Sequence, residues 1–113
     1  MSSLLATITD VDLRRWQQQR YALLGEILKY GDSHDLPPLT WRVDPHSLIG
    51  EAHQLDMGER RAAFGAWLQS LEMMRWNDNH SVGGLVHLRA TRVDLWGRAV
   101  DLVVTADIFH DLP

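Results

Sequence analysis

Two runs of alternating apolar and polar residues, Leu85–Leu95 and Val100–Phe109, constrain the fold of this chain most. The residues between them offer a two-residue turn with Gly97 at its first central position, where a type II′ hairpin prefers glycine. A turn this short makes the two runs antiparallel, because a parallel pair needs a crossover of about a dozen residues or more. The sequence therefore predicts a long C-terminal hairpin.

The rest of the chain alternates between helical and strand periodicity. Thr9 and Asp10 supply capping groups for a first helix, and Asp56 followed by Glu59 is typical of the start of a second. A proline-rich segment, residues 32–38, interrupts the helical pattern, and the polar residues 77–81 are predicted to form a mobile loop. The remaining predicted elements are helix Asp10–Tyr30, with Gly31 at its C′ position, strands Leu39–Val43 and Leu48–His53, and helix Met57–Met74.

These elements follow one another as α-β-β-α-β-β. The simplest architecture is an α+β two-layer sandwich, in which a four-stranded, mainly antiparallel sheet carries both helices on one face. Residues 1–113 are expected to form a single domain. Short repeats such as Arg42-Val43-Asp44 and Arg92-Val93-Asp94 suggest a duplicated α-β-β unit, with halves at 9–53 and 56–109.

The face of the sheet away from the helices is the predicted interaction surface. If Leu95 faces Val100 and Val93 faces Leu102, that face mixes apolar residues, Ala90 among them, with charged residues such as Arg92 and Asp107. Apolar patches rimmed by charge often mark interfaces, so we predict a homodimer through this face. The predicted interface residues are Trp76, Val86, Leu88, Trp96, Val103 and Phe109.

Charge and composition narrow the classes of partner and compartment. Eleven basic and fifteen acidic residues give a formal net charge of -4, the wrong sign for a protein whose main task is binding phosphates or an anionic membrane. The absence of cysteine excludes disulfides and thiolate nucleophiles. The sequence shows neither an export signal nor an apolar run long enough to span a membrane. We therefore expect a cytoplasmic location and no membrane partner.

The first predicted helix offers an alternative function. Arg14, Arg15 and Gln18 lie on it, and arginine suits phosphates and guanine while glutamine can pair with adenine. A nucleic-acid-associated regulator is therefore the second hypothesis, although the acidic total does not favour it.

A small ligand-binding protein or enzyme is the third hypothesis. His87 and His110 would be diagonal neighbours across the hairpin, and Asp94 and Asp101 would lie opposite each other beside its turn. No third metal ligand is apparent, and arginines near the aspartates can compensate their charge. Phosphate-binding glycine loops, zinc-protease motifs and nucleophile elbows are absent. We therefore expect no enzymatic activity, no cofactor and no metal site.

One stretch of the chain carries a resemblance. The run Leu36-Pro37-Pro38-Leu39-Thr40-Trp41-Arg42-Val43, followed by Arg61-Ala62-Ala63-Phe64-Gly65-Ala66-Trp67, resembles short uncharacterised proteins encoded in GC-rich bacterial genomes. The resemblance covers about the central third of the chain and implies no activity or ligand. The leading hypothesis is thus a non-enzymatic protein-interaction or regulatory module that binds itself or another protein.

Overall fold

A computed structural model of the protein, describing residues 9–81 and 83–109, contains two helices and a mixed sheet of six strands. The elements are α1 Asp10–Ser33, β1 Thr40–Val43, β2 Ser47–Ala52, α2 Met57–Ser70, β3 Met74–Arg75, β4 Asn79–His80, β5 Leu85–Arg92 and β6 Asp101–Phe109. The α+β class is confirmed. The prediction of four strands is wrong, because the polar segment after α2 adds two short strands at the edge of β5.

Both helices begin where the capping residues predict. The Thr9 side chain accepts a hydrogen bond from the backbone N–H of Asp12 at 3.1 Å, and the Asp56 side chain accepts one from Glu59 at 2.9 Å. Each bond satisfies a donor that the first helical turn leaves without a partner. The predicted starts of α1 and α2 are therefore confirmed.

Both helices end elsewhere than predicted. The left-handed residue that terminates each helix is Asp35 after α1 (φ 54°) and Glu72 after α2 (φ 50°), not a glycine. In each case the next residue returns a hydrogen bond to a carbonyl five residues earlier, as in a Schellman motif. Gly31 is inside α1 instead, buried against the ring of Trp67.

The strand order is β1-β2-β6-β5-β3, and β4 also pairs with β5. The two predicted hairpin pairings, β1 with β2 and β5 with β6, are antiparallel as expected. The strands that join these hairpins, β2 and β6, pair in parallel. The sheet is therefore mixed, and β6 occupies its centre.

The predicted register of the C-terminal hairpin is wrong by one residue. Arg92, not Val93, pairs with Leu102, because the connection is a longer loop in which Asp94, Trp96 and Ala99 adopt left-handed conformations. A one-residue shift exchanges the two faces of a strand.

This shift moves three residues from the predicted interface surface into the core. Val86, Leu88 and Ala90 are at most 1% exposed and belong to the same apolar cluster as Leu23 of α1 and Phe64 of α2. Arg92 also points to the helix side, where it donates a 2.6 Å hydrogen bond to a backbone carbonyl. The face away from the helices is therefore more polar than the sequence predicts.

Candidate binding face

Neither helix packs against the second face of the sheet, which we call the open face. Cross-strand pairs share a face, so the register identifies its members. In strand order they are Thr40 and Arg42; Ser47, Ile49 and Glu51; Asp101, Val103, Thr105, Asp107 and Phe109; Leu85, His87, Arg89 and Thr91; and, at the edge, Met74 and Asn79. Trp76 joins them because its indole N–H donates a 2.9 Å hydrogen bond to the Thr91 hydroxyl.

A row of three side chains crosses the middle of the open face. Thr105 of the central strand pairs with Glu51 of β2 on one side and with Arg89 of β5 on the other. Two strand spacings, about 10 Å, separate the backbones of Glu51 and Arg89. The row thus carries a negative charge, a neutral centre and a positive charge in line.

Arg89 turns away from this centre and lies over the ring of Trp76. Its guanidinium carbon is 5.8 Å from the ring centroid, a cation–π contact. The hydrogen bond to Thr91 orients the indole of Trp76, and the guanidinium of Arg89 packs on this ring. In the part of the chain that the structure describes, Arg89 forms no ion pair with a carboxylate.

Glu51 has two neighbours of its own. Its carboxylate lies 3.9 Å from Nη1 of Arg42 and 3.2 Å from Nε2 of His53. Arg42 also contacts Asp44 at 3.6 Å, so its charge is divided between two carboxylates. All of these side chains remain accessible to solvent, with about two-fifths of the Glu51 side chain exposed (38%).

A groove of about 440 Å³ runs over this part of the open face, with Glu51 at one wall and Trp76 at the other. His87 and Asp107 also line it, joined by a 2.6 Å contact between Nδ1 and Oδ1. Nε2 of His87 is 3.4 Å from the Ser81 hydroxyl. The groove is thus lined mainly by polar and charged groups, two of which, His87 and Asp107, are in contact with each other.

The described residues do not bring together the groups that the third hypothesis would need for catalysis or metal binding. His110 lies outside the described residues, and no three histidine, aspartate or glutamate side chains of residues 9–81 and 83–109 are grouped to hold a metal ion. Asp94 and Asp101 are close, but both organise the hairpin loop. Asp101 accepts a hydrogen bond from the Asp94 backbone at 3.1 Å, and Asp94 accepts one from Ala99 at 2.6 Å.

The six predicted interface residues separate into three groups. Trp76 and Phe109 lie on the open face with half of their surface exposed, and Val103 lies on it at 4% exposure. Trp96 is 40% exposed but packs 5.6 Å from the ring of Tyr30, on the helix side. The remaining two residues of the prediction, Val86 and Leu88, are in the core, so their assignment to the open face is wrong.

The residues of the nucleic-acid alternative are accessible. Arg14, Arg15 and Gln18 are all exposed on the N-terminal half of α1. The nearby Arg20 is different, since it is 8% exposed and its Nε donates a 2.8 Å hydrogen bond to the Pro45 carbonyl. Arg20 therefore holds α1 against the β1–β2 turn.

Glu51, Thr105 and Arg89 are not predicted as a set from the sequence. The alternation in each strand places each residue on a face, but only the parallel pairing of β2 with β6 brings Glu51 beside Thr105. That pairing joins residues more than fifty positions apart, and no local pattern reports it.

Comparison of the chain with protein-family models, with curated proteins and with solved structures gives no match. Among the described residues, no helix is long and apolar enough to cross a membrane.

Proposed function

We propose that this protein is a small non-enzymatic interaction module that forms a homodimer through its open face. One observation carries the proposal: large apolar side chains remain exposed at the margins of a sheet face that neither helix covers. Met74 is 61% exposed, Phe109 56% and Trp76 50%. Aromatic residues and methionine are enriched at protein interfaces relative to the rest of the surface.

The corrected register changes the reason for expecting an interface. With Val86 and Leu88 in the core, the open face no longer offers a continuous apolar patch. Two features of the open face support binding: the exposed aromatic residues at its edges and the row of opposite charges across its centre. A face of this composition suits association of two folded chains, in which a polar centre sets specificity and apolar contacts add affinity.

The proposal is tested by the solution mass of the wild-type protein and of Thr105→Arg, measured by light scattering. Thr105 lies at the centre of the open face and is half-buried, so an arginine there extends into solvent in a monomer but blocks a partner. We expect twice 12.9 kDa for the wild type and 12.9 kDa for Thr105→Arg.

Tyr21→Arg is the matched control, because Tyr21 is 61% exposed on α1, away from the sheet. It should remain dimeric, and circular dichroism should show both variants folded. A monomeric wild type would overturn the proposal and leave the groove open to a small polar ligand. A dimer lost only in Tyr21→Arg would move the interface to α1.

A further inference from the structure

We propose that two copies of the chain stack their open faces about a two-fold axis parallel to β6, so that Glu51 of each copy pairs with the partner's Arg89. The inference rests on the proposed function, since it specifies how the same dimer is arranged. Its occupant for the open face is a second copy of this chain.

The direction of the axis follows from the order of charges in the row, which has a glutamate at one end and an arginine at the other. Two faces can meet face to face only about an axis that lies between the two sheets. An axis parallel to β6 places each Thr105 over the partner's Thr105 and exchanges the positions of β2 and β5. Glu51 then lies over the partner's Arg89, and the same contact forms a second time on the other side of the axis.

The alternative axis, perpendicular to the strands along the same row, fails on charge. It places Glu51 over the partner's Glu51 and Arg89 over the partner's Arg89. Like charges directly opposed across an interface are unfavourable. The row therefore selects one of the two simple face-to-face arrangements, and the selected one keeps the strands of the two sheets aligned, as sheets commonly pack.

The side chains can make the contact. Packed sheets are about 10 Å apart, a distance that glutamate and arginine span when they extend from opposite sides. Arg89 has no carboxylate partner in the described part of its own chain, and Trp76 holds it at the open face. The contacts that Arg42 and His53 make with Glu51 leave its side chain 38% exposed.

The neighbouring residues of the central strand would meet their own equivalents about the same axis. Phe109 also belongs to the central strand and is 56% exposed, so it would meet its own equivalent and form an apolar contact beyond the charged row. Val103 lies on the same strand but is only 4% exposed, so it adds little to the contact. This axis also opposes Asp107 to its own equivalent, which is one like-charge contact, whereas the alternative axis creates two. His87 lies 2.6 Å from that carboxylate. The groove of each copy opens toward the other, which leaves space for the two arginines.

Charge exchange between two separate variants tests the pairing. In Glu51→Arg each contact becomes arginine against arginine, and in Arg89→Glu it becomes glutamate against glutamate. We expect each variant alone to dimerise roughly 100-fold more weakly than the wild type, because like charges face each other twice. Mixed in equal amounts, they should form a heterodimer within about tenfold of the wild-type affinity, because both contacts are again of opposite charge.

Glu26→Arg is the matched control. Glu26 forms a 2.8 Å ion pair with Arg98 on the helix side, and its side-chain exposure of 44% is close to the 38% of Glu51. This variant reverses the same charge and breaks an ion pair, yet it should dimerise as the wild type does. If Glu51→Arg does not fold beside Arg42 and His53, the same mixing experiment uses Glu51→Arg together with Arg42→Gln.

The outcomes separate this inference from the proposed function. Weakened single variants that recover on mixing support the pairing. A wild-type dimer whose affinity is unchanged in both single variants, or is lost in them and not recovered on mixing, overturns the pairing but leaves the dimer. A wild-type monomer overturns both.

Discussion

At the scale of single residues, Gly50 sets the distance between the sheet and the aromatic residue above it. A Cβ added to Gly50 would lie 2.8 Å from Trp41 and 2.8 Å from Leu39, closer than side-chain atoms approach one another. Trp41 in turn meets Trp67 edge to face, with 5.5 Å between the ring centroids. The absence of a side chain at one position therefore lets β1, β2 and α2 pack together.

Gly50→Ala should lower the free energy of unfolding by about 1–3 kcal/mol, because the added methyl group displaces two packed side chains. Gly25→Ala is the matched change, since an added Cβ there meets nothing within 4 Å in the middle of α1. It should raise the free energy of unfolding by about 0.5–1 kcal/mol through helix propensity. Urea denaturation measures both, and equal effects would contradict this account of Gly50.

The sequence predicts Trp41 and Gly50 as strand residues but not their contact. Alternation of Leu39, Trp41 and Val43 assigns the ring to one face, and in the structure that face packs against the core on the helix side. Nothing local indicates that the residue opposite must lack a side chain, because that requirement arises from the register of β1 on β2.

At the scale of elements, the starts of the helices were predictable and their ends were not. A start depends on one side chain that reaches a nearby backbone N–H, and Thr9 and Asp56 both display the required group. An end depends on a residue that adopts a left-handed conformation, for which glycine is the usual signal. Here Asp35 and Glu72 fill that position, so the signal is absent.

Glu72→Gly should therefore raise the free energy of unfolding by about 0.5–1 kcal/mol, because glycine adopts a positive φ without steric cost. Glu72→Ala removes the same charge but keeps a Cβ at φ 50°, so it should give no comparable gain. Thermal denaturation of the three proteins side by side distinguishes relief of backbone strain from loss of charge. A gain of equal size in both variants would contradict the strain explanation.

The loop between β5 and β6 also contains non-glycine residues at positive φ that the sequence does not reveal, and here they change the register of a strand pair. Its antiparallel pairing is confirmed, whereas its register depends on Asp94, Trp96 and Ala99 at positive φ. The Asp94 carboxylate stabilises this conformation by accepting a hydrogen bond from the Ala99 N–H. The register differs from the predicted one by a single residue, which reverses the faces of β5. The side chains on the open face are therefore different from those predicted.

At the scale of the whole molecule, the proposed dimer links stability to protein concentration. Association of folded chains stabilises them relative to unfolded chains by mass action, so the melting temperature of the wild type should rise as the protein is concentrated. Thr105→Arg, which we expect to be monomeric, should melt at one temperature throughout the same series. Differential scanning calorimetry over a hundredfold range of concentration provides the measurement, and a constant wild-type melting temperature would contradict dimerisation.

The arrangement of strands was the part of the fold least accessible to sequence. Each hairpin has a local pattern, and both were predicted, but their junction along β2 and β6 is a long-range parallel contact. The candidate site could not be predicted for the same reason. Glu51 and Arg89 lie in one row only because β2 and β5 both pair with β6.

The central position of β6 also bears on how the chain folds while it is being synthesised. Until Asp101–Phe109 have emerged from the ribosome, the β1–β2 hairpin and β5 have no strand between them to join their hydrogen bonds. Both pieces would expose unpaired strand edges during that interval, the feature that makes nascent sheets prone to aggregation. Completion of the sheet therefore depends on the last of these strands to be synthesised, because β6 joins its two halves.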